Sequence, residues 1–254
     1  MKIVLLPGMD GTGRLYEPFN ALLGAKVSLL VLRYPVAQVL GYAELEHWVR
    51  ARLPQEEPFV LLAESFSGPI GIAIASQAPA GLRGLILCCS FARNPHPALS
   101  VFRHLVSLAP VNLAPTWFAN SLLMGHFATA SMRQTLADAL SEVQNAVMRE
   151  RMKAVLAVDV TDQLATVTLP TLYLQARHDR VLGPAPFEHV KSALPTVELA
   201  SLEGPHMLLQ TQPDAAARVI LTFVERVCRP GDDVSEADTS AAGSAGVPRK
   251  RGRP

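Results

Sequence analysis

The chain has 254 residues, of which 49% are hydrophobic and 18% are charged, and its formal net charge is +1. This length suits one large domain with a single core better than two domains. The near-zero net charge gives the body of the protein no overall field that would draw it to nucleic acid or to an anionic membrane. The function must therefore be read from a local site.

The cysteines and the N-terminus indicate a compartment. There are three cysteines, and Cys88 and Cys89 are adjacent within an apolar run. We expect free, buried thiols in a reducing environment and no disulfide framework. The first apolar stretch ends at Pro7, too early for a signal peptide or a membrane span. These features predict a soluble cytoplasmic protein.

Apolar runs and helical periodicity alternate along most of the chain. Six runs are predicted as strands: 2–6, 27–32, 59–63, 82–89, 169–176 and 196–202. Five segments are predicted as helices: 14–23, 42–53, 68–77, 186–194 and 213–227. Strands that alternate with helices predict an α/β fold with a doubly wound, mostly parallel sheet that is covered on both faces.

The alternation stops between residues 92 and 162, where the segments look helical and rich in Leu, Phe, Met and Ala. We predict that this segment is a helical cap inserted into a domain of residues 1–230. Candidates for an apolar acyl site beneath the cap are Phe102, Trp117, Phe118, Leu122 and Phe127. The alternative is that these side chains pack the helices of the cap onto the sheet.

A candidate nucleophile follows the third predicted strand. Residues 63–68 read Ala-Glu-Ser-Phe-Ser-Gly, which places a small residue two positions before and two positions after Ser65, at a change from strand to helix. This is the nucleophile-elbow pattern, with alanine and serine in place of the usual glycines. The alternative is that Ser65 only caps the following helix.

A serine nucleophile needs a base, and the base needs an acid that orients it. Asp179 follows the predicted strand 169–176, and His206 follows the strand 196–202, which gives the chain order serine, acid, histidine. The other histidines lie in predicted helices or in the cap, apart from His178, which precedes the candidate acid. We therefore predict the catalytic triad Ser65, Asp179 and His206.

Acyl chemistry also needs donors for the oxyanion, and two backbone N–H groups are suitably placed. They belong to Phe66, directly after the serine, and to Met9, in the loop after the first strand. The same loop is glycine-rich and could suggest a phosphate site. Its glycines at 8, 11 and 13 do not have the G-x-G-x-x-G spacing, and no Gly-Lys-Ser/Thr follows. No metal-ligand spacing is present, and no cofactor is predicted.

In these motifs the chain resembles the α/β-hydrolase superfamily of esterases, lipases and thioesterases. The likeness runs from about residue 2 to 227 and is most specific at 6–13 (Leu-Pro-Gly-Met-Asp-Gly-Thr-Gly), at 63–68, and in the Asp179 and Gly-Pro-His 204–206 loops. Residues 6–13 also resemble the opening of phytyl ester synthases. The chain departs from the superfamily at Pro7, where a histidine is common, and at 32–35, where many members have an Asp-x-Pro-Gly turn.

The resemblance implies a cofactor-independent serine hydrolase that acts on small-molecule esters or thioesters through a covalent acyl-enzyme. One alternative is an acyltransferase that uses the same triad to acylate an alcohol. The other is a non-catalytic module in which the fold binds an apolar ligand.

The C-terminal residues 231–254 are rich in Asp, Ser, Ala, Gly and Pro, and we predict that they form a disordered tail. The segment ends in a single Arg-Gly-Arg-Pro motif that resembles an AT-hook, so DNA contact by Arg249, Lys250, Arg251 and Arg253 is an alternative. These four cations are balanced by four acidic residues of the tail. The acids are Asp232, Asp233, Glu236 and Asp238. This balance favours a solvated tail over a DNA-binding one.

Overall fold

A computed structural model describes residues 2–24, 26–102 and 116–228. Six parallel strands form one sheet in the order β2-β1-β3-β4-β5-β6. They are β1 Lys2–Leu6, β2 Ser28–Val31, β3 Phe59–Glu64, β4 Leu82–Cys88, β5 Thr171–Ala176 and β6 Glu198–Leu202. The chain starts in the interior of the sheet, moves to one edge and returns to build the other side, so the predicted doubly wound α/β fold is confirmed.

Ten α-helices connect and cover the strands in the described residues. They are α1 Glu17–Leu23, α2 Tyr42–Arg50, α3 Gly68–Ala75, α4 Thr116–Leu123, α5 Ala130–Glu142, α6 Asn145–Ala157, α7 Thr161–Ala165, α8 Ala185–Ala193, α9 Leu208–Thr211 and α10 Pro213–Val227. Among these described segments, no helix combines the length and the apolar character that crossing a membrane requires.

The core lies on both faces of the sheet. Val4 and Leu6 of β1 point to one face, where they join side chains of α2, α3, α7 and α8. Ile3 and Leu5 point to the other face, where they join α1, α9 and α10. This alternation is what the pleat of a strand dictates when helices cover both sides. All eight residues of α3 are buried, which agrees with its apolar sequence on every side.

Residues between β4 and β5 form the helices α4 to α7, and we call the segment 92–162 the insertion. Its two ends are tied together by backbone hydrogen bonds from Val160 N to Ala92 O, 2.8 Å, and from Asn94 N to Val158 O, 2.9 Å. Its described residues contain no strand apart from one isolated bridge between Arg93 and Asp159. The domain boundaries remain a prediction, and the tail 231–254 lies outside the described residues.

The insertion also contacts the loop that follows β6. The backbone N–H of Met207 donates to Leu123 O over 3.1 Å. Met124 and Leu136 pack against the side chain of Met207. The insertion is therefore anchored both at its own base and beside His206.

All three cysteines are free thiols, and the adjacent Cys88 and Cys89 are buried. The sequence predicted this state from their apolar surroundings. Burial at the end of β4 makes them part of the packing of the sheet.

Candidate active site

Ser65 lies on a sharp turn between β3 and α3. Its φ of +49° is unusual for a residue other than glycine and indicates a strained backbone. The turn is packed against β4: a Cβ atom on Gly68 would lie 1.8 Å from Ser90 Oγ. A Cβ atom on Gly71 would lie 2.8 Å from that of Ala63. The small residues of the motif are therefore required by close approach of helix and strand.

The three predicted triad side chains form a continuous hydrogen-bonded chain. Ser65 Oγ and His206 Nε2 are 2.8 Å apart, and His206 Nδ1 and Asp179 Oδ2 are also 2.8 Å apart. The His206 and Asp179 side chains are only 6% and 4% exposed. Because a carboxylate only accepts, Nδ1 carries the imidazole proton and Nε2 accepts from the serine hydroxyl.

The acid is itself held by the loop on which it lies. Asp179 Oδ1 accepts backbone N–H groups from Val181 and Leu182, over 2.8 and 2.9 Å. This arrangement leaves Oδ2 for His206. The carboxylate is therefore fixed by two donors of its own loop before it orients the imidazole.

The sheet explains how residues so far apart in sequence meet. Ser65, Asp179 and His206 follow β3, β5 and β6, and 141 residues separate the serine from the histidine. In a parallel sheet the carboxyl ends of the strands share one edge, which is where sites of this architecture lie. The chain order and the loops are those that the sequence analysis expected.

The two predicted oxyanion donors lie beside this turn. Residues 8–11 form a tight turn in which Gly11 N donates to Gly8 O over 3.0 Å. No acceptor among the described residues takes the Met9 N–H. Phe66 lies in the first turn of the helix after Ser65, where backbone N–H groups lack intrahelical acceptors. Pairing of Leu6 with Ala63 between β1 and β3 brings the two segments together.

A buried acid that the sequence analysis did not single out lies directly beneath the serine. Glu64 accepts a hydrogen bond from Tyr16 Oη and another from Gln210 Nε2, at 3.1 Å. Burial raises the pKa of its carboxyl above the ordinary value, while the two donors act in the opposite direction. The signal available in the sequence was a charged residue at the end of an otherwise apolar strand.

A second buried polar side chain without a sequence signal is Arg151 of α6. It is 1% exposed and donates to backbone carbonyls of the 8–11 turn. Nothing in the local sequence of α6 distinguishes it from a surface arginine, because its contacts depend on how the insertion folds back over the sheet.

A cavity of about 280 Å³ lies beside the triad acid. It is lined on one side by Leu122 and Phe127 of the insertion, and on the other by the loop that carries Asp179, including Arg177 and Arg180. His178 lines it too and is bound to Glu203 over 2.8 Å, outside the triad. Two of the five candidate acyl-site residues therefore lie next to the site.

The remaining candidates are placed differently. Trp117 and Phe118 are 69% and 50% exposed and contact each other edge to face. They do not line the cavity beside Asp179. The side chain of Phe102 lies outside the described residues, as do Arg249, Lys250, Arg251 and Arg253. Within the described ranges, no three His, Cys, Asp or Glu side chains are grouped so that they could hold a metal ion.

Comparison with curated proteins gives two relatives that match over nearly the whole chain. The putative carbamate hydrolase RutD of Variovorax paradoxus is 26% identical over 248 residues, which cover 90% of this chain and 93% of that protein. Polyketide synthase ThaQ of Burkholderia thailandensis is 24% identical over 261 residues. That match covers 91% of this chain but only 12% of the synthase, so the chain spans a small part of its length.

Solved structures share the fold. The enol-lactonase from Burkholderia xenovorans LB400 has a TM-score of 0.75 and 18% identity, and covers 88% of this chain and 90% of its own. A thermophilic esterase from Thermogutta terrifontis has a TM-score of 0.73 and 20% identity, over 89% and 90%. At these identities the likeness establishes the architecture.

The family is established by sequence. Residues 42–210, well over half of the chain, match the profile of the family described as serine aminopeptidase S33. The matched range includes β3, the Ser65 turn and the loops of Asp179 and His206. The chain belongs to this serine aminopeptidase S33 family and is a hydrolase of the α/β-hydrolase type.

Proposed function

We propose that the protein is a serine hydrolase that cleaves carboxylic esters or thioesters through a covalent acyl-enzyme. The observation that carries this proposal is the continuous chain from Ser65 Oγ through His206 to Asp179, with both donor–acceptor distances at 2.8 Å. A surface serine that only caps a helix needs neither a buried imidazole nor an acid fixed by two backbone donors.

The chemistry follows from the proton positions. Ser65 Oγ attacks the carbonyl carbon while His206 Nε2 takes the hydroxyl proton. The tetrahedral intermediate collapses, the bond to the leaving alcohol or thiol breaks, and His206 returns the proton to that leaving group. Water then attacks the acyl-enzyme with His206 as base and Ser65 as leaving group. Asp179 stabilises the imidazolium formed in both halves of the cycle.

The negative charge of the tetrahedral intermediate needs fixed donors. The backbone N–H groups of Met9 and Phe66 border the serine from two different loops, and neither is committed to an acceptor in the described structure. Loss of a single donor of this kind typically costs about 100- to 1000-fold in kcat. Only a proline substitution removes a backbone N–H, and it also changes the backbone of the turn, so the contribution of these donors is better tested through the residues that hold them.

The acyl group proposed for this site is apolar. Leu122, Met124 and Phe127 form the apolar side of the cavity beside Asp179, which faces the polar side chains of the Asp179 loop. The related proteins named above as a lactonase, an esterase and a putative carbamate hydrolase support carbonyl substrates in general. We expect octanoyl esters to be turned over with a higher kcat/KM than acetyl esters, and equal values would contradict the apolar acyl site.

Covalent labelling with a fluorophosphonate tests the proposal. The purified protein would be treated with the reagent and the modified peptide identified by mass spectrometry. Wild type is expected to be labelled on Ser65, and labelling is expected to be lost in Ser65→Ala and strongly reduced in His206→Ala, because the hydroxyl alone is a weak nucleophile.

Matched controls exist within the chain. Ser76→Ala changes a half-buried serine on the adjoining helix end, and His47→Ala changes an exposed histidine of α2. Both variants should label like wild type. An unlabelled wild type, or labelling at a residue other than Ser65, would refute the proposal and favour a binding module on the same fold.

A further inference from the structure

Arg151 connects the insertion to the turn that carries a proposed oxyanion donor. It lies on α6, yet its side chain is 1% exposed. Its Nη1 donates to Met9 O and to Asp10 O, both over 2.8 Å, and its Nη2 donates to Pro35 O over 3.0 Å. One guanidinium therefore holds two successive carbonyls of the 8–11 turn and a third from the segment after β2.

The two carbonyls belong to the central residues of the turn. The turn has one internal backbone hydrogen bond, from Gly11 N to Gly8 O. That bond orients the peptide that joins Gly8 to Met9, which includes the Met9 N–H. The next two peptides, whose carbonyls belong to Met9 and Asp10, are held by Arg151 from the insertion. Arg151 therefore acts on the Met9 N–H indirectly: it fixes the two peptides that follow it in the turn, from a position 142 residues away in sequence.

The surroundings of the guanidinium are shaped to receive it. A Cβ atom on Gly11 would lie 2.7 Å from Arg151 Nη1, so any larger residue at position 11 would occupy space that the guanidinium needs. The ring of Tyr34 lies 5.7 Å from the guanidinium carbon, within the range of a cation–π contact. In the described residues, no carboxylate oxygen comes within ion-pair distance of Arg151, and its Nε has no acceptor.

This balance of contacts argues against a purely stabilising role. A buried cation whose partners are neutral carbonyls recovers only part of its desolvation cost. An apolar side chain of similar size would avoid this desolvation cost, but it would leave the carbonyls of Met9, Asp10 and Pro35 without this donor. What only arginine provides is a planar fork that fixes several carbonyls at once.

The 8–11 turn is also joined by hydrogen bonds to the turn that carries Ser65. Tyr34 N donates to Gly11 O over 2.8 Å, and Tyr34 Oη lies 2.6 Å from Ser67 Oγ. Ser67 Oγ donates to Pro7 O. Arg151, the 8–11 turn and the Ser65 turn therefore form one hydrogen-bonded unit.

We propose that Arg151 is a positioning residue for the oxyanion site, which it builds by holding the 8–11 turn so that the Met9 N–H faces the substrate carbonyl oxygen. The inference rests on the proposed serine hydrolase function and deepens it. It also means that the insertion contributes to transition-state stabilisation, in addition to any role in covering the site.

The test compares Arg151→Lys and Arg151→Met with Arg149→Met. Arg149 lies on the same helix, is only half buried and makes no side-chain hydrogen bond to another described residue, so it controls for loss of an arginine from α6. Steady-state kinetics with a p-nitrophenyl ester would give kcat and KM for each variant, and inhibition by an alkyl boronic acid would report affinity for a tetrahedral adduct.

Both Arg151 variants are expected to lose about 10- to 100-fold in kcat, because the donor is misplaced rather than deleted. KM should stay within about threefold, since the ground-state carbonyl needs the donor less than the transition state does. Boronic acid affinity should fall by a factor similar to the loss in kcat/KM. A role in folding alone would lower the melting temperature without this selective loss of affinity for the tetrahedral adduct.

Three results would overturn the inference. Folded Arg151 variants with a kcat/KM close to that of Arg149→Met would do so, as would an equal loss of affinity for the boronic acid and for the carboxylate product. Failure of both variants to fold would assign Arg151 to stability. A wild type that resists fluorophosphonate at Ser65 would refute the proposed function itself, whereas a labelled wild type with unimpaired Arg151 variants would refute only the positioning role.

Discussion

The turn that carries Ser65 and the 8–11 turn lie side by side at the proposed active site, and they are held in place by different forces. The serine turn is fixed by steric packing: Gly68 lies against Ser90, and Gly71 lies against Ala63. The 8–11 turn is fixed by hydrogen bonds, chiefly those from Arg151 to its carbonyls. The first loop belongs to the sheet, whereas the second depends on a helix of the insertion.

The difference indicates which substitutions would disturb the structure of each loop. A packed turn has no space for added volume, so a single methyl group is enough to displace it. A hydrogen-bonded turn tolerates moderate changes in volume but loses its orientation when a donor is removed. Substitutions in the serine turn should therefore mainly lower the free energy of unfolding. Substitutions that affect the 8–11 turn should mainly lower kcat/KM.

The largest stability effect is expected for Gly68→Ala. The new Cβ would lie 1.8 Å from Ser90 Oγ and 2.9 Å from Phe91 O, and the backbone atom cannot rotate away. We expect a loss of about 3 kcal/mol or more in the free energy of unfolding, measured by urea denaturation. Gly41→Ala is the control, because its new Cβ meets only the terminal carboxylate oxygen of the Glu44 side chain, at 3.0 Å. Similar losses in the two variants would contradict the packing account.

A smaller loss is expected for Gly11→Ala in the other loop. Its φ is +71°, and the new Cβ would lie 2.7 Å from Arg151 Nη1. We expect a loss of about 2 kcal/mol from strain, together with a fall in kcat/KM as Arg151 is displaced. Gly81→Ala has a positive φ of +87° and lies just before β4, at the end of the sheet opposite to the triad, so it should lose stability without losing activity. Unchanged kcat/KM in folded Gly11→Ala would break the proposed link to catalysis.

Glu64→Gln should change how stability depends on pH. The folded-state pKa of Glu64 lies above its ordinary value near 4.5, so the folded state binds more protons than the unfolded state between these two values. Stability from this group is thus present at low pH and is lost as pH rises through the folded pKa. We expect the melting temperature of Glu64→Gln, relative to wild type, to be higher at pH 8 than at pH 4.5. A difference that does not vary with pH would show that Glu64 titrates normally.

The smallest effect is expected for Trp117→Ser. Its side chain is 69% exposed, and exposed substitutions of this kind usually change stability by no more than about 0.5 kcal/mol. Leu122→Ser, within the cavity beside Asp179, should instead raise KM for an octanoyl ester. If Trp117→Ser raised KM as much as Leu122→Ser, the acyl group would extend further along the insertion than the cavity indicates.

The elements that the sequence predicted well are those with a strong local signal. Helix α3 was predicted from its apolar residues alone, and all of them are buried. Strand ends were less certain, since β2 begins at Ser28 and β6 at Glu198, one or two residues after the predicted starts. Because Ser65, Asp179 and His206 each follow a predicted parallel strand, the sequence was enough to place all three at the carboxyl edge of the sheet.

What the sequence could not give depends on long-range geometry. Arg151 reaches the 8–11 turn across 142 residues of sequence, and no periodicity in α6 marks it. Composition also could not separate Leu122 and Phe127, which line the cavity, from Trp117 and Phe118, which are exposed. All four are apolar, and only the folded insertion decides which of them face the site.

The central claim is that Ser65 carries the acyl group during turnover. The most direct test is rapid quenching of wild type during turnover of a p-nitrophenyl octanoate, followed by mass spectrometry of the intact protein and of its peptides. The account predicts a transient population that is heavier by one octanoyl group, located on the peptide that contains Ser65. Turnover without any acylated protein, or with the acyl group on another residue, would contradict it.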